Sequence, residues 1–242
     1  MRSAVSVSRD AFGKGGKEAG AKGGVALSLG PYGATMVPGQ EYSGLYDEGM
    51  REVQDLQTWH RRRLQAFMID DGVGLDEKRE REKCWTDVDL IAFETIPLLK
   101  EVTAVRKVMA SLETSEVKPF WIACVFPGEA NTLPDGTRIK DLVETMLLRR
   151  DGEAIPKDIG INCTKITKVE GLIKEFESAI EDLVQRKDVD EWPGLVLYPD
   201  GTDGEVYNTS TMTWERKESE SEVCLFSINQ LKGTVLAQGQ DR

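Results

Sequence analysis

Asp89-Leu90-Ile91-Ala92-Phe93-Glu94, closed by Thr95-Ile96-Pro97, is an apolar run that ends on a carboxylate and a turn. Leu98 to Leu112 follows with Val102, Val105, Val108 and Met109 at helical spacing. Phe120-Trp121-Ile122-Ala123-Cys124-Val125-Phe126 is then a second apolar run, stopped by Pro127-Gly128. A strand, a helix and a strand in that order need a crossover connection, which makes the two strands parallel.

The same alternation extends in both directions. Downstream, Ile139 to Leu148 reads as a helix, Ile159-Gly160-Ile161-Asn162 as a strand and Lys168 to Gln185 as an amphipathic helix. Gly194-Leu195-Val196-Leu197-Tyr198 is another strand, ending in Pro199-Asp200-Gly201. Upstream, Val25 to Gly30 is a short strand broken at Pro31-Tyr32-Gly33. Glu48 to Ile69 is helical by the spacing of Met50, Val53, Leu56, Trp59, Leu64 and Phe67. Asp70 to Lys83 is a loop or the start of another helix, and residues 1–12 resemble a helix end. The Gly/Lys/Ala run at 13–24 reads as a mobile linker, and without a GxxxxGK[ST] pattern its lysines carry no nucleotide site. Val223 to Ile228 is apolar enough for a sixth strand. Near-continuous apolar strands predict burial on both faces of the sheet.

Parallel βαβ units build either an open doubly wound sheet or a (β/α)8 barrel. Ser28, Glu94, Asn162-Cys163 and Tyr198 fall at the carboxyl ends of four different strands. Barrel enzymes spread their chemistry over many strand ends, whereas open sheets concentrate it at one switch point. The reading is therefore α/β, a (β/α)8 TIM-barrel type that is incomplete, in one domain over 1–242.

With 42 acidic against 31 basic residues the net charge is −11, a field that disfavours nucleic acid and anionic membranes. No window approaches the roughly 18 apolar residues of a membrane span, and residues 1–12 lack a signal-peptide core, so a cytoplasmic protein is expected. The basic cluster His60-Arg61-Arg62-Arg63 reads as a solvated helix face. The four cysteines, Cys84, Cys124, Cys163 and Cys224, show no paired spacing and are expected to be reduced thiols. His60 is the single histidine, which argues against Ser-His or Cys-His hydrolase chemistry.

Four segments together resemble the homocysteine S-methyltransferases, in particular their fungal members. They are Val25-Ala26-Leu27-Ser28-Leu29-Gly30-Pro31-Tyr32-Gly33-Ala34, Phe93-Glu94-Thr95-Ile96-Pro97, Gly160-Ile161-Asn162-Cys163 and Tyr198-Pro199-Asp200-Gly201. Order and spacing match over about residues 5–215, and 216–242 diverge as a tail. The resemblance implies a (β/α)8 barrel that transfers a methyl group to homocysteine. The donor would be S-methylmethionine, S-adenosylmethionine or another onium compound, and the product methionine. It also implies a zinc ion held by three cysteines, with Cys163 at one ligand position, because zinc favours the thiolate form of the substrate. Glu94 matches a carboxylate that contacts the substrate's amino group; Asn162, Ser28 and Tyr198 would line the same pocket.

This sequence departs from the family pattern at both ends. An early Asp-Gly-Gly run has no counterpart, and no Gly-Gly-Cys-Cys occurs to supply the other two ligands. The expected consequence is impaired catalysis. Two further readings stand beside it: a non-catalytic ligand-binding remnant around Glu94 and Asn162, and an unstable fragment with open strand edges. Cys84 and Cys124 read as structural, Cys224 as a weak second ligand, and Trp121 as core.

Overall fold

The computed structural model describes residues 2–19, 24–68, 74–114, 117–201, 205–208 and 211–216. Five strands, β1 (Ala26–Leu29), β2 (Leu90–Ile96), β3 (Phe120–Cys124), β4 (Asp158–Lys165) and β5 (Gly194–Asp200), form one parallel sheet in the order β1-β2-β3-β4-β5. The helices are α1 (Arg2–Ala19), α2 (Val53–Gln65), α3 (Leu75–Asp87), α4 (Leu99–Ala110), α5 (Ile139–Leu147) and α6 (Ile166–Gln185). A hairpin of β6 (Glu205–Asn208) and β7 (Thr213–Arg216) forms a separate two-stranded sheet. Each strand pairs with its sequence neighbour and the order never reverses, which is the winding of a barrel and not of a doubly wound sheet.

Side-chain alternation divides the sheet into two faces. Leu27, Leu29, Ile91, Phe93, Phe120, Ile122, Ile159, Ile161, Leu195 and Leu197 point one way and share a core with residues from all six helices. The alternate positions Ala92, Trp121, Ala123 and Val196 form a second cluster with Leu90 and Tyr198, and no helix contributes to it. Among the described residues all the helical packing therefore lies on one face, and the other is the concave lining of a partial barrel. Burial on both faces holds for the central strands, where Ala92, Ala123 and Val196 are enclosed. At β1 it fails, since Ala26 and Ser28 are exposed.

Several expectations are corrected. The 13–24 linker does not begin at residue 13, because α1 runs unbroken to Ala19; residues 20–23 lie outside the described set. The reason is anchorage ahead of the glycines. Val5 is buried, Arg2 pairs with Glu77 at 3.3 Å, and Arg9 reaches the Asp87 carbonyl and the Asp89 carboxylate. Once a helix is nucleated against a partner, each added residue costs little. The helix expected over 48–69 divides into a 3-10 turn at Glu48–Met50 and α2. Charged Asp70 to Lys83 resolves into α3 from Leu75. The sixth strand and Cys224 lie outside the described residues.

The basic cluster on α2 is not a solvated face. Only Arg62 is exposed; His60 is fully buried, and Arg61 and Arg63 are half-buried. His60 Nε2 lies 2.9 Å from Glu101 Oε1, Arg61 donates to Ser111 Oγ at 2.6 Å, and Arg63 donates to the Gly30 carbonyl while lying over the Trp59 ring. Charge spacing alone reads as solvated because it carries no information about which partners α4 and the β1 loop bring to that face. A groove of about 580 Å³ runs along the outer edge of β1, between residues of α1 and α2 such as Val5 and Trp59. It does not include Glu94 or Cys163.

Candidate active site

Two irregularities in the sheet build the site. The β2–β3 register shifts between Phe93 and Ile96, and the β4–β5 register shifts between Asn162 and Lys165. Each shift contains a left-handed residue, Thr95 at φ 59° and Cys163 at φ 46°. A β-branched residue rarely adopts that conformation, and strain of this kind persists only where surrounding contacts over-determine it. Bulges re-aim side chains that regular pleating would send elsewhere.

Asn162 supplies the over-determining contacts. Its side chain is 1% exposed and spans from β4 to β2 beyond the end of β3. Asn162 Oδ1 accepts from the Thr95 backbone N–H at 2.8 Å. Its Nδ2 donates to Thr95 Oγ1 at 2.7 Å and to Cys163 Sγ at 3.2 Å. Thr95 Oγ1 donates to the same sulfur at 3.6 Å. Below them, Thr164 is buried and bridges the Asn162 carbonyl to the Phe126 N–H. The amide of Asn162 is thus spent on fixing the two strained residues.

The remaining site residues lie on the concave face. Ser28 Oγ donates to Glu94 Oε2 at 2.6 Å, joining the ends of β1 and β2. Tyr198, on β5, pairs in register with Asn162. Burial raises the pKa of the Tyr198 hydroxyl well above the usual phenol value, and the nearby Glu94 carboxylate pushes it the same way. It stays a protonated donor. Neither the Tyr198 hydroxyl nor the Trp121 Nε1–H beside it makes a hydrogen bond of ordinary geometry among the described residues. Trp121 is core, as expected: it is buried with Ala92, Ala123 and Val196 in the concave-face cluster, against which Tyr198 packs.

Sequence reading missed Tyr42. Its hydroxyl pKa is raised, first by desolvation and then by nearby Cys163, so the phenol stays protonated. The signal in the sequence was faint: two tyrosines, Tyr42 and Tyr46, flank Gly44 in a segment with no periodicity.

Ser28, Glu94, Tyr198, Asn162 and Cys163 are thus brought to one end of the sheet. Cys84 and Cys124 are not: both are buried in the core on the helix side. His60 is engaged with Glu101. Among the described residues no group of three or more His, Cys, Asp or Glu side chains is arranged to hold a metal ion. The described residues therefore do not fit the three-thiolate zinc site that the resemblance implies; Cys163 is one donor where such a site needs three.

The family model for homocysteine S-methyltransferase matches residues 1–236. The chain belongs to the homocysteine S-methyltransferase family. Among curated relatives of this methyltransferase family, homocysteine S-methyltransferase 2 of Arabidopsis thaliana is 33% identical over 191 residues, covering 78% of this chain and 46% of its own length. The homocysteine S-methyltransferase 1 of Brassica oleracea var. italica is 30% identical over the same length, covering 78% of this chain and 47% of itself. A crystal structure of the metallated form of the homocysteine methyltransferase MmuM from Escherichia coli superposes with a TM-score of 0.52 at 25% identity. That match covers 82% of this chain and 56% of the other. The chain spans about half the length of the curated methyltransferases it matches. No helix among the described residues is long and apolar enough to cross a membrane.

Proposed function

We propose that this chain binds homocysteine on the concave end of its sheet, as the thiol-substrate half of a methyltransferase site. One observation carries the reading: the Glu94 carboxylate stands on the open concave face, held by Ser28 at 2.6 Å, at the same strand ends as Cys163. A carboxylate fixed this way offers charge-assisted acceptance to an amino acid's ammonium group. The protonated Tyr198 hydroxyl, which makes no hydrogen bond of ordinary geometry, suits the substrate's carboxylate, since buried donors gain most from a partner. Cys163, with donors from Asn162 and Thr95 at its sulfur, marks the end of the pocket for the substrate thiol.

The reaction class is transfer of a methyl group from an onium donor to that thiol. The thiol gives up its proton to solvent, the new S–CH3 bond forms as the donor's S–CH3 bond breaks, and the electron pair of the broken bond stays on the donor sulfur. Zinc in this family activates the substrate thiol. With one cysteine at the site among the described residues, methyl transfer by this chain is slow or absent even with zinc supplied.

Calorimetry with L-homocysteine tests the binding. Saturable binding to the purified protein is expected, and Glu94→Gln should weaken it about tenfold or more, the worth of a hydrogen bond to a charged group. No heat of binding with the unaltered protein would sink the proposal. Metal analysis and a methionine-forming assay with S-methylmethionine test the second part. Stoichiometric zinc with rapid turnover would overturn the expectation of slow transfer.

A further inference from the structure

Ser28 and Glu94 stand at the carboxyl ends of β1 and β2, and the 2.6 Å hydrogen bond between them depends on the spacing of those ends. The β1–β2 ladder stops with Leu29 opposite Phe93, one residue short of Glu94. The β2–β3 register shifts just beyond that point. Backbone pairing alone therefore does not set where the Glu94 carboxylate points.

A fully buried carboxylate on α4 holds both ends from the helix side of the sheet. Glu101 gathers three groups. Tyr32 N–H donates to its Oε1 at 2.9 Å, Tyr46 O–H donates to its Oε2 at 2.6 Å, and His60 Nε2 lies 2.9 Å from Oε1. A carboxylate only accepts, so that His60 nitrogen carries a proton. Two arms run from Glu101 to the site. The first reaches β1, because Tyr32 follows Ser28 by four residues and the intervening Gly30 carbonyl accepts from Arg63 of α2. The second reaches β2, where the His60 ring meets the ring of Phe93, the residue before Glu94. The rings of Tyr46, Tyr32, Trp59, His60 and Phe93 meet edge to face in that order, at 5.2, 5.5, 4.7 and 5.6 Å, so the two arms brace each other. Phe93 belongs to the helix-side core and Glu94 follows it toward the concave face, so tilting one tilts the other.

We propose that Glu101 is a positioning residue for the Glu94 carboxylate. Through Tyr32 on one side, and through His60 and Phe93 on the other, it fixes the β1 and β2 ends and aims Glu94 at the ammonium group of a bound amino acid. The inference rests on the homocysteine reading and adds to it a residue that touches no substrate.

Calorimetry with two ligands tests it. One is L-homocysteine; the other is 4-mercaptobutanoate, which keeps the thiol and the carboxylate but has no amino group. Glu101→Gln keeps the side-chain volume and loses one of the two accepting oxygens. His60→Gln leaves Glu101 in place and removes the ring from Phe93, and it decides alone where Glu101→Gln does not fold. Each variant should lower the affinity for homocysteine several-fold and leave that for 4-mercaptobutanoate unchanged. A merely structural role would weaken both ligands alike, and that outcome overturns the proposal, as does unchanged homocysteine affinity. Hydrogen exchange followed by mass spectrometry gives a readout without ligand. In both variants exchange should rise in residues 26–29 and 90–96 and stay unchanged in residues 158–165 and 194–200. A rise throughout the sheet, or none, overturns the positioning role. An unaltered protein that binds neither ligand sinks the homocysteine reading instead, and the exchange pattern then judges the hold of Glu101 on the two strand ends.

Discussion

Replacing Arg106 with alanine is expected to destabilise the protein by about 3–5 kcal/mol, the range for removing one partner of a buried ion pair. Arg106 is 0% exposed on α4. Its Nε donates to the Ala154 carbonyl at 2.8 Å, one terminal nitrogen donates to Leu148 at 2.7 Å, and the other donates to Thr145 and pairs with Glu153 at 3.0 Å. The Arg106 carbonyl in turn accepts from Ala154 N–H at 2.9 Å. Burial lowers the guanidinium's affinity for its proton and Glu153 restores part of it, but an arginine remains charged throughout. Without it, three carbonyls and a carboxylate are stranded at the end of α5 and in its connection to β4. Lysine would recover little, because a single ammonium cannot reproduce a fork aimed at carbonyls on both sides. Urea unfolding followed by circular dichroism measures the loss, and a change below about 1 kcal/mol would refute this account.

Gly160→Ala is expected to cost about 3 kcal/mol, the upper part of the range for overpacking, and to lower the melting temperature by roughly 6–12 °C. A Cβ at Gly160 would lie 2.2 Å from the Val196 carbonyl oxygen. That neighbour is backbone, so no rotamer change relieves the contact, and β4 must part from β5. The pairing of Asn162 with Tyr198 lies further along the same ladder, so homocysteine binding should weaken along with stability. Gly49→Ala is the matched control, since nothing lies within 4 Å of a Cβ there. A Gly160→Ala protein that melts with the control would show that the strands accommodate the methyl group.

The five strands were legible because each is a short apolar run closed by proline, glycine or a polar residue, a pattern set by local chemistry. The barrel-type winding followed from where the polar residues fell along those runs. The left-handed backbone of Thr95 and Cys163 was not legible, since neither is a residue that favours it; long-range hydrogen bonds joining Thr95 to Asn162 and Cys163 hold it. Glycines at 13, 15 and 16 pointed to a linker, yet they lie inside α1, whose first half is docked on α3 and Asp89. The burial of His60 was missed because its partner, Glu101, lies 41 positions away in the chain, and no periodic pattern connects them.

The strand order β1-β2-β3-β4-β5 bears on how the molecule comes into being. Every sheet pairing joins consecutive βα units, so loop-closure costs stay small at each step and the sheet can lengthen one unit at a time as the polypeptide emerges from the ribosome. Ser28 and Glu94 meet when the second strand docks on the first, long before the fourth strand exists. Cys163 gains its neighbours next, and Tyr198 comes last of all. The chain thus acquires its Glu94 carboxylate early in synthesis and its sulfur end late. A ribosome stalled between the two would display the first without the second.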